Sequence, residues 1–203
     1  MSRSQPQPQP PEAPLIAPDL LLEAYAGGMF PMAMENGEMG WFSPDPRGII
    51  PIKDFHIPHG LQKVLRKNPF EVRFNTAFPT VMRGCADRES TWISDMIHRS
   101  YVKLHELGFA HSVEVWQDNE LAGGLYGISM GGAFFGESMY SRVPNASKVA
   151  LAALVERLAA RGYVLLDTQW VTEHLTQFGA HEIPRATYLK RLNKALELRC
   201  SFS

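Results

Sequence analysis

The feature that most constrains the fold is a run of three predicted strands, followed by a long apolar helix and a further strand. The run reads HSVEVWQ, a DNE turn, and LAGGLYGISMGGAFFGESM, with hairpin signals between successive strands. NASKVALAALVERLAARG then predicts a helix that is apolar on nearly every face and therefore buried, and YVLLDTQ predicts a buried strand. Together with the helices predicted before and after this block, the order indicates an α+β domain with helices packed on a mixed sheet.

The whole chain divides into three predicted parts. Residues 1–14 are rich in proline and glutamine and predict a disordered tail, because no core can form there. Residues 15–58 predict a small, turn-rich N-terminal lobe that opens with a short helix, for which Asp19 is the candidate cap. Residues 59–203 form the predicted main domain, which contains this block. One of its helices should bury Ile97, Tyr101 and Leu104 on a single face.

Composition excludes several classes of protein. The 203 residues carry a net charge of -1, whereas proteins that grip long duplex DNA are usually strongly basic, so any RNA contact should involve a small local patch. No apolar run has the length of a transmembrane helix, and Cys85 and Cys200 are expected to be free thiols in a reducing cytoplasm. The seven histidines show no metal-ligand spacing. We therefore expect a cytoplasmic monomer without a metal.

Three polar residues near strand ends are candidates for catalysis. Glu137 follows a glycine among large apolar residues, where a carboxylate is costly unless it is paired or used. Alternation along the strand YVLLDTQ predicts Asp167 and Gln169 on one face and Thr168 on the other. A cationic substrate amine would suit both carboxylates. The structural alternatives are a glutamate that leans into solvent and a polar cap at the strand end.

Two further motifs are candidates for binding the end of a nucleic acid. WFSPDPRG, which includes Trp41, predicts a rigid turn whose aromatic residues could stack on a base; the alternative is a stiff surface turn. NASK begins the long helix, where Asn145 is a good N-cap and free N–H groups attract anions. Lys148 would add positive charge against the helix dipole, which favours an anion there over simple capping.

A pocket and a basic patch complete the candidates. The glycines of LAGGLYG imply a bulge or a ligand close to the backbone, and the side chains predicted to line an apolar pocket beside them are Leu125, Phe134, Met139, Leu154 and Leu166. Each of these could equally be ordinary core. The basic residues that could contact an RNA stem, or merely form a solvated face, are Lys63, Arg66, Lys67 and Arg73.

Together these strings resemble the leucyl/phenylalanyl-tRNA–protein transferases. The resemblance covers nearly all of the chain from about Leu15 to Leu196. The matching strings are YAGGMFPM, WFSPDPR, CADRESTWI, ELGFAHSVEVW, LAGGLYG, FFGESMYS, NASK, DTQ and HLTQFGA. The resemblance implies a catalytic domain like that of GNAT acetyltransferases with a small N-terminal lobe. The chain departs from the family in two ways: Trp41 is followed by Phe42, where the family often has two tryptophans, and the N-terminal lobe is short.

The resemblance also implies an activity and a role for each candidate. The enzyme would move leucine or phenylalanine, with methionine as a further candidate, from leucyl-tRNA or phenylalanyl-tRNA to a protein that begins with Arg or Lys. The acceptor would thereby be marked for degradation. No cofactor is expected, because the glycine-rich pyrophosphate loop of acetyl-CoA enzymes is missing from YSRVPNASK.

The expected roles follow from the acceptor amine and the aminoacyl ester. Glu137 and Asp167 would attract the cationic acceptor, and one of the two would take its proton. Gln169 would contact the amine or the ester carbonyl, with Asp167 behind it as a polarising or proton-accepting partner. The residues expected at the 3′ end of the aminoacyl-tRNA are Trp41, Trp92, Asn145, Ser147 and Lys148. Two alternatives are an aminoacyl-tRNA-dependent transferase that extends a peptidoglycan precursor and a non-catalytic module that binds basic N-termini.

Overall fold

The computed structural model describes residues 14–203, so the predicted disordered tail lies almost wholly outside the described residues. The helices are α1 Pro18–Ala26, α2 His59–Lys67, α3 Phe78–Ala86, α4 Asp95–Glu106, α5 Ala146–Ala160, α6 Glu173–Thr176 and α7 Arg185–Leu196. The strands are β1 Phe30–Ala33, β2 Met39–Phe42, β3 Arg47–Ile50, β4 Glu71–Phe74, β5 Ala110–Gln117, β6 Glu120–Met130, β7 Ala133–Ser141, β8 Leu165–Gln169 and β9 His181–Ile183.

Seven strands form one mixed sheet in the order β4-β5-β6-β7-β8-β3-β9. The predicted three-strand run forms the antiparallel hairpins β5–β6–β7. The predicted long helix α5 then connects β7 to β8, and these two strands pair in parallel. A parallel pair requires a long crossover of this kind. The α+β mixed-sheet prediction is therefore confirmed.

The parallel pair is short, and this opens the centre of the sheet. β7 and β8 are bonded only where Ala133–Phe135 faces Leu165–Asp167. Beyond that point β7 continues to Ser141 and β8 to Gln169 without pairing to each other. Where two neighbouring strands separate in the middle of a sheet, their backbone groups are no longer paired and there is space between them for a ligand.

Each face of the sheet has its own apolar core. On one face Leu165 packs with Tyr126 and Phe135 and with residues of α1, α3, α4 and α7. On the other face Leu166 packs with Leu125 and with residues of α2 and α5. Neighbouring residues of β8 thus belong to opposite cores, as the alternation of side chains along a strand requires. The predicted buried face of α4, with Ile97, Tyr101 and Leu104, is confirmed.

Two local expectations for the N-terminal segment are corrected. Asp19 does not cap α1, because Pro18 is the first helical residue, Ala17 occupies the cap position and no side chain bonds there. The predicted lobe of residues 15–58 is not separate from the main sheet, because β3 lies inside that sheet between β8 and β9. Among residues 14–203, only α1 and the two-stranded sheet β1–β2 lie before it in the chain.

Candidate active site

A cavity of about 370 Å³ lies where β7 and β8 separate. Its walls come from both faces of the sheet, from the segment between α3 and α4, and from the residues that follow β8. One part is apolar, and the other holds a carboxylate, an amide and aromatic rings. This combination of apolar walls with a few polar groups is typical of a small-molecule site.

The apolar part of the cavity, hereafter the apolar pocket, lies on the face of the sheet that packs against α5. It is lined by Ile50, Leu125, Met139, Leu151, Leu154, Leu166 and Leu175. Four predicted residues are among these, namely Leu125, Met139, Leu154 and Leu166. Phe134 does not line it, because it belongs to the paired part of β7 and its ring stacks on Phe202 at 5.4 Å.

Glu137 lies on β7 just after the strands part, and its carboxylate faces the cavity. Tyr25 Oη donates a hydrogen bond to Glu137 Oε1 at 2.7 Å and is itself bonded to the Tyr101 hydroxyl. Burial raises the pKa of Glu137 to about 8, and the nearby Asp167 carboxylate adds to the rise. Glu137 can therefore exchange a proton near neutral pH.

Asp167 faces away from the cavity and is fully buried. Arg47 donates to both of its oxygens, with Nε–Oδ1 at 2.9 Å and Nη2–Oδ2 at 2.6 Å. Tyr188 Oη donates to Oδ2 at 2.6 Å, and the Gln169 backbone N–H donates to Oδ1 at 2.8 Å. A carboxylate with four donors and no exposure has no free lone pair aimed at a substrate. The structure thus does not place Asp167 at the cavity, where it would attract the acceptor amine directly. It places Asp167 behind Gln169, the second of its two predicted positions.

The last residues of β8 depart from the predicted alternation. Both Thr168 and Gln169 line the cavity, because Gln169 adopts a left-handed backbone conformation with φ of 60°. The Gln169 side-chain amide lies 3.4 Å from Glu137 Oε1. Gln169 therefore stands beside Glu137 because of its backbone conformation, and not because of strand alternation.

Aromatic rings surround the mouth of the cavity. Phe30, Trp92 and Trp170 line it, and Trp170 meets Phe30 edge-to-face at a centroid distance of 5.3 Å. Trp41 lies on β2, is 39% exposed and does not line the cavity. Trp170 was missed at the sequence level, where the only available signal was its place directly after the DTQ motif.

The predicted anion site at the start of α5 lies outside the cavity lining. Asn145 occupies the cap position in a left-handed conformation without a side-chain cap bond. The Ser147 N–H donates to Ser141 Oγ at 2.8 Å, so that amide already has a partner. Lys148 Nζ lies 3.4 Å from Gln177 Oε1. Binding of the tRNA end here stays a prediction.

The predicted stem patch is split between two elements. Lys63, Arg66 and Lys67 are exposed on α2. Arg73 lies on β4, an edge strand separated from β7 by β5 and β6, and both of its bonds at 2.7 Å go to Glu71. Arg88, missed at the sequence level, is instead the cation that lines the cavity, where its guanidinium donates to Ser138 Oγ at 3.3 Å.

The cavity also concentrates unsatisfied polar atoms. Among residues 14–203, five buried side-chain polar atoms lack a hydrogen-bond partner, and three of these belong to residues of the cavity wall: Tyr126, Thr168 and His174. Burial of a polar group without a partner is costly. A ligand that enters the cavity with its own donors and acceptors would satisfy these groups. No group of three or more metal-binding side chains occurs in the same range.

Models of two domains of one protein family match most of the chain. The model of the leucyl/phenylalanyl-tRNA protein transferase family matches residues 49–193, and the model of its N-terminal domain matches residues 15–45. The chain belongs to this family. The resemblance of the sequence motifs is therefore confirmed, and it makes the chain an aminoacyltransferase.

Curated relatives of the same name match nearly the whole chain. The leucyl/phenylalanyl-tRNA–protein transferase of Gloeobacter violaceus is 54% identical over 188 residues, which cover 92% of this chain and 97% of the relative. That of Paramagnetospirillum magneticum is 58% identical over 189 residues, which cover 90% of each chain. Similarity therefore extends over the N-terminal segment, the sheet and the cavity together.

Solved structures with a similar arrangement are more distant. An aminoglycoside acetyltransferase from an uncultured soil metagenomic sample, in complex with sisomicin, is 12% identical with a TM-score of 0.41, covering 63% of this chain and 89% of the other. L-PGS from Bacillus licheniformis is 11% identical with a TM-score of 0.47, covering 76% of this chain and 66% of the other.

Within residues 14–203, none of the helices combines the length and the hydropathy that a membrane span needs.

Proposed function

We propose that the chain transfers leucine or phenylalanine from the 3′ end of an aminoacyl-tRNA to the α-amino group of a protein that begins with Arg or Lys. The single observation that carries this proposal is the cavity between β7 and β8, in which an apolar pocket adjoins the Glu137 carboxylate. The two parts suit the two substrates, an apolar aminoacyl side chain and a cationic amine.

The apolar pocket suits the side chain of a transferred amino acid that is not branched at Cβ. Leu125, Leu154 and Leu166 surround it with aliphatic groups that offer no charge to a substrate. A side chain that is branched at Cβ, such as that of valine or isoleucine, needs a wider entrance to the pocket. Leucine and phenylalanine should therefore be favoured over valine and isoleucine. Discrimination of this kind is worth ~1–3 kcal/mol per methylene group.

We assign to Glu137 the removal of a proton from the α-amino group of the acceptor. The acceptor α-amino group has an ordinary pKa of about 7.7–8.0, and the pKa of Glu137 is about 8. A proton passes readily between groups with nearly equal pKa values. The neutral amine then attacks the ester carbonyl carbon, a C–N bond forms, and the ester C–O bond breaks. Glu137 releases the first proton, which it took from the ammonium form, to solvent. The second proton, which the nitrogen loses as the amide bond forms, passes to the ribose oxygen that leaves with the tRNA.

Gln169 and the aromatic rim supply orientation. The Gln169 side-chain amide lies beside Glu137 and can bind the attacking amine or the ester carbonyl. Trp92 and Trp170 at the mouth offer rings for the terminal adenosine, and one such stacking contact is worth ~1–3 kcal/mol. Because the ester is already activated, orientation of the two reactants accounts for most of the required rate enhancement.

The test is transfer of radiolabelled leucine from leucyl-tRNA to a peptide that begins with Arg. Matched reactions contain a peptide that begins with Ala, valyl-tRNA in place of leucyl-tRNA, or tRNA pretreated with ribonuclease. Label should reach only the Arg peptide, and only from intact leucyl-tRNA. Equal labelling of the Ala peptide would contradict the proposed acceptor.

A second set of reactions separates the assigned roles. Glu137→Gln should lower kcat by ~100-fold or more, a size typical of the loss of a general base. Glu71→Gln, which removes an exposed glutamate on the edge strand β4, should leave kcat unchanged. If the Arg peptide binds but no label moves with the wild-type protein, the chain is a binding module for basic N-termini. Transfer only to a peptidoglycan precursor would support the related transferase class.

A further inference from the structure

The last two residues of the SPDPRG segment begin β3. This strand pairs with the end of β8 in antiparallel orientation and determines the path of the β8 backbone there. Ile49 pairs with Asp167, but Gly48 pairs with Gln169, so the register shifts by one residue and Thr168 is left over on β8. A Cβ atom at Gly48 would lie 2.7 Å from the carbonyl carbon of Trp170. Only glycine therefore permits the backbone after β8 to approach β3 so closely.

The residue before this glycine grips the buried carboxylate. Arg47 is fully buried, forms a bidentate ion pair with Asp167, and donates from Nη1 to the Gly28 carbonyl at 2.9 Å. Its guanidinium stacks over the rings of Tyr188, at 4.5 Å, and Phe30, at 5.1 Å. Because the planar Arg47 guanidinium is held by these contacts and binds both carboxylate oxygens, it fixes the Asp167 carboxylate in one orientation.

Asp167 in turn holds the residue that faces the substrate. Its Oδ1 accepts the Gln169 backbone N–H, and Gln169 has a φ of 60°, which is uncommon for a residue with a side chain. Release of this bond would allow Gln169 to return to the extended conformation. The side chain would then turn towards the other face of the sheet and leave Glu137.

We propose that Arg47, Gly48 and Tyr188 form a clamp that acts through Asp167 to position Gln169 and Trp170 for the transfer reaction. This inference rests on the proposed function. The clamp residues are positioning residues, because none of the three lines the cavity. The SPDPRG motif thus acts on the site by the residues after its second proline, in addition to any stacking by the aromatic residues before it.

Two mild variants test the clamp without removing its buried charge. Gly48→Ala should displace Trp170, and Tyr188→Phe should free one lone pair of Asp167. Because a shift of about 1 Å in a reacting group lowers rates by ~100-fold, we expect kcat to fall by ~10–100-fold in each variant while KM for leucyl-tRNA changes by less than about threefold. The matched controls are Gly60→Ala on α2, where an added Cβ meets nothing within 4 Å, and Tyr163→Phe, which removes a buried hydroxyl bonded to Ser129.

A third variant addresses the guanidinium itself. Arg47→Ala should lose transfer activity, and millimolar guanidinium should restore part of it, whereas Arg47→Lys should not be active, because an ammonium cannot replace the bidentate fork. Thermal midpoints measured alongside separate loss of activity from loss of fold. The clamp is overturned if Gly48→Ala and Tyr188→Phe both keep kcat within about twofold of the wild type. A fall in activity that only follows the folded fraction would also overturn it.

Hydrogen exchange at the Gln169 amide provides a readout that needs no substrate. In Tyr188→Phe this amide should exchange at least about tenfold faster than in the wild type, whereas Tyr163→Phe should leave it unchanged. Unchanged exchange in Tyr188→Phe would refute the clamp. A wild-type protein that transfers no leucine from leucyl-tRNA refutes the proposed function instead, and the exchange measurement then still decides whether the clamp exists.

Discussion

Replacement of Glu137 by glutamine should stabilise the protein at high pH and have little effect on its stability at low pH. The pKa of Glu137 rises from an ordinary 4.5 to about 8 because burial disfavours its charged form. At pH values below about 4.5 the carboxyl is neutral in both the folded and unfolded states. Between about pH 4.5 and 8 the unfolded chain ionises while the folded protein keeps the proton, so stability falls as the pH rises.

The size of the effect follows from the shift. One unit of pKa corresponds to ~1.36 kcal/mol, so the full rise corresponds to about 5 kcal/mol above pH 8. This figure is an upper limit, because the cavity is open to water, which screens the charged carboxylate. We expect Glu137→Gln to exceed the wild type in free energy of unfolding by about 2–4 kcal/mol at pH 8.5, after this screening is allowed for.

The assay is urea denaturation followed by circular dichroism at pH 4.5 and pH 8.5. Subtraction of the wild-type value from the variant value at each pH removes the contributions of groups common to both proteins. Glu71→Gln is the control, and it should be less stable than the wild type at pH 8.5, the opposite of Glu137→Gln. A hydrogen bond from Arg73 lowers the pKa of Glu71, so the charged Glu71 carboxylate stabilises the folded protein. A stability difference between Glu137→Gln and the wild type that is equal at both pH values would refute the assignment of a raised pKa to this carboxyl.

Three other substitutions should change stability or specificity. Thr168→Val removes a buried hydroxyl without a partner and should raise the free energy of unfolding by ~1 kcal/mol; a lower urea midpoint would contradict this. Leu154→Phe narrows the apolar pocket and should lower kcat/KM for phenylalanyl-tRNA at least about tenfold more than for leucyl-tRNA, as measured in parallel transfer reactions. Phe202→Ala empties a fully packed position against Phe134 and should cost ~3–5 kcal/mol, which calorimetry would register as a fall of several degrees in Tm.

Much of the fold could be predicted from local patterns. The hairpins β5–β6–β7, the buried helix α5 and the buried face of α4 each follow from a periodicity that lies within one stretch of chain. The errors occur where partners come from distant parts of the chain. β3 was assigned to a separate lobe because its turn-rich surroundings resemble a loop, yet its four residues are all buried between β8 and β9.

The candidate site was predictable as a set of residues more than as an arrangement. Glu137, Gln169 and most of the apolar pocket were found because polar residues in apolar strands and motif resemblance both point to them. Asp167 was given a chemical role because a strand-end aspartate looks available. Its partner Arg47 is 120 positions away in the chain, and no local pattern predicts that ion pair.

The amino-acid sequence by itself determined the family, the succession of helices and strands and the side chains available for chemistry, because periodicity and motif identity are properties of neighbouring residues. The tertiary structure alone decided which carboxylate faces the cavity. Glu137 faces the cavity because β7 leaves β8 at that point, while Asp167 is enclosed by residues of β3 and α7. The physical reason is that burial and hydrogen-bond saturation depend on contacts between distant segments, and those contacts separate two carboxylates that look equivalent in the sequence.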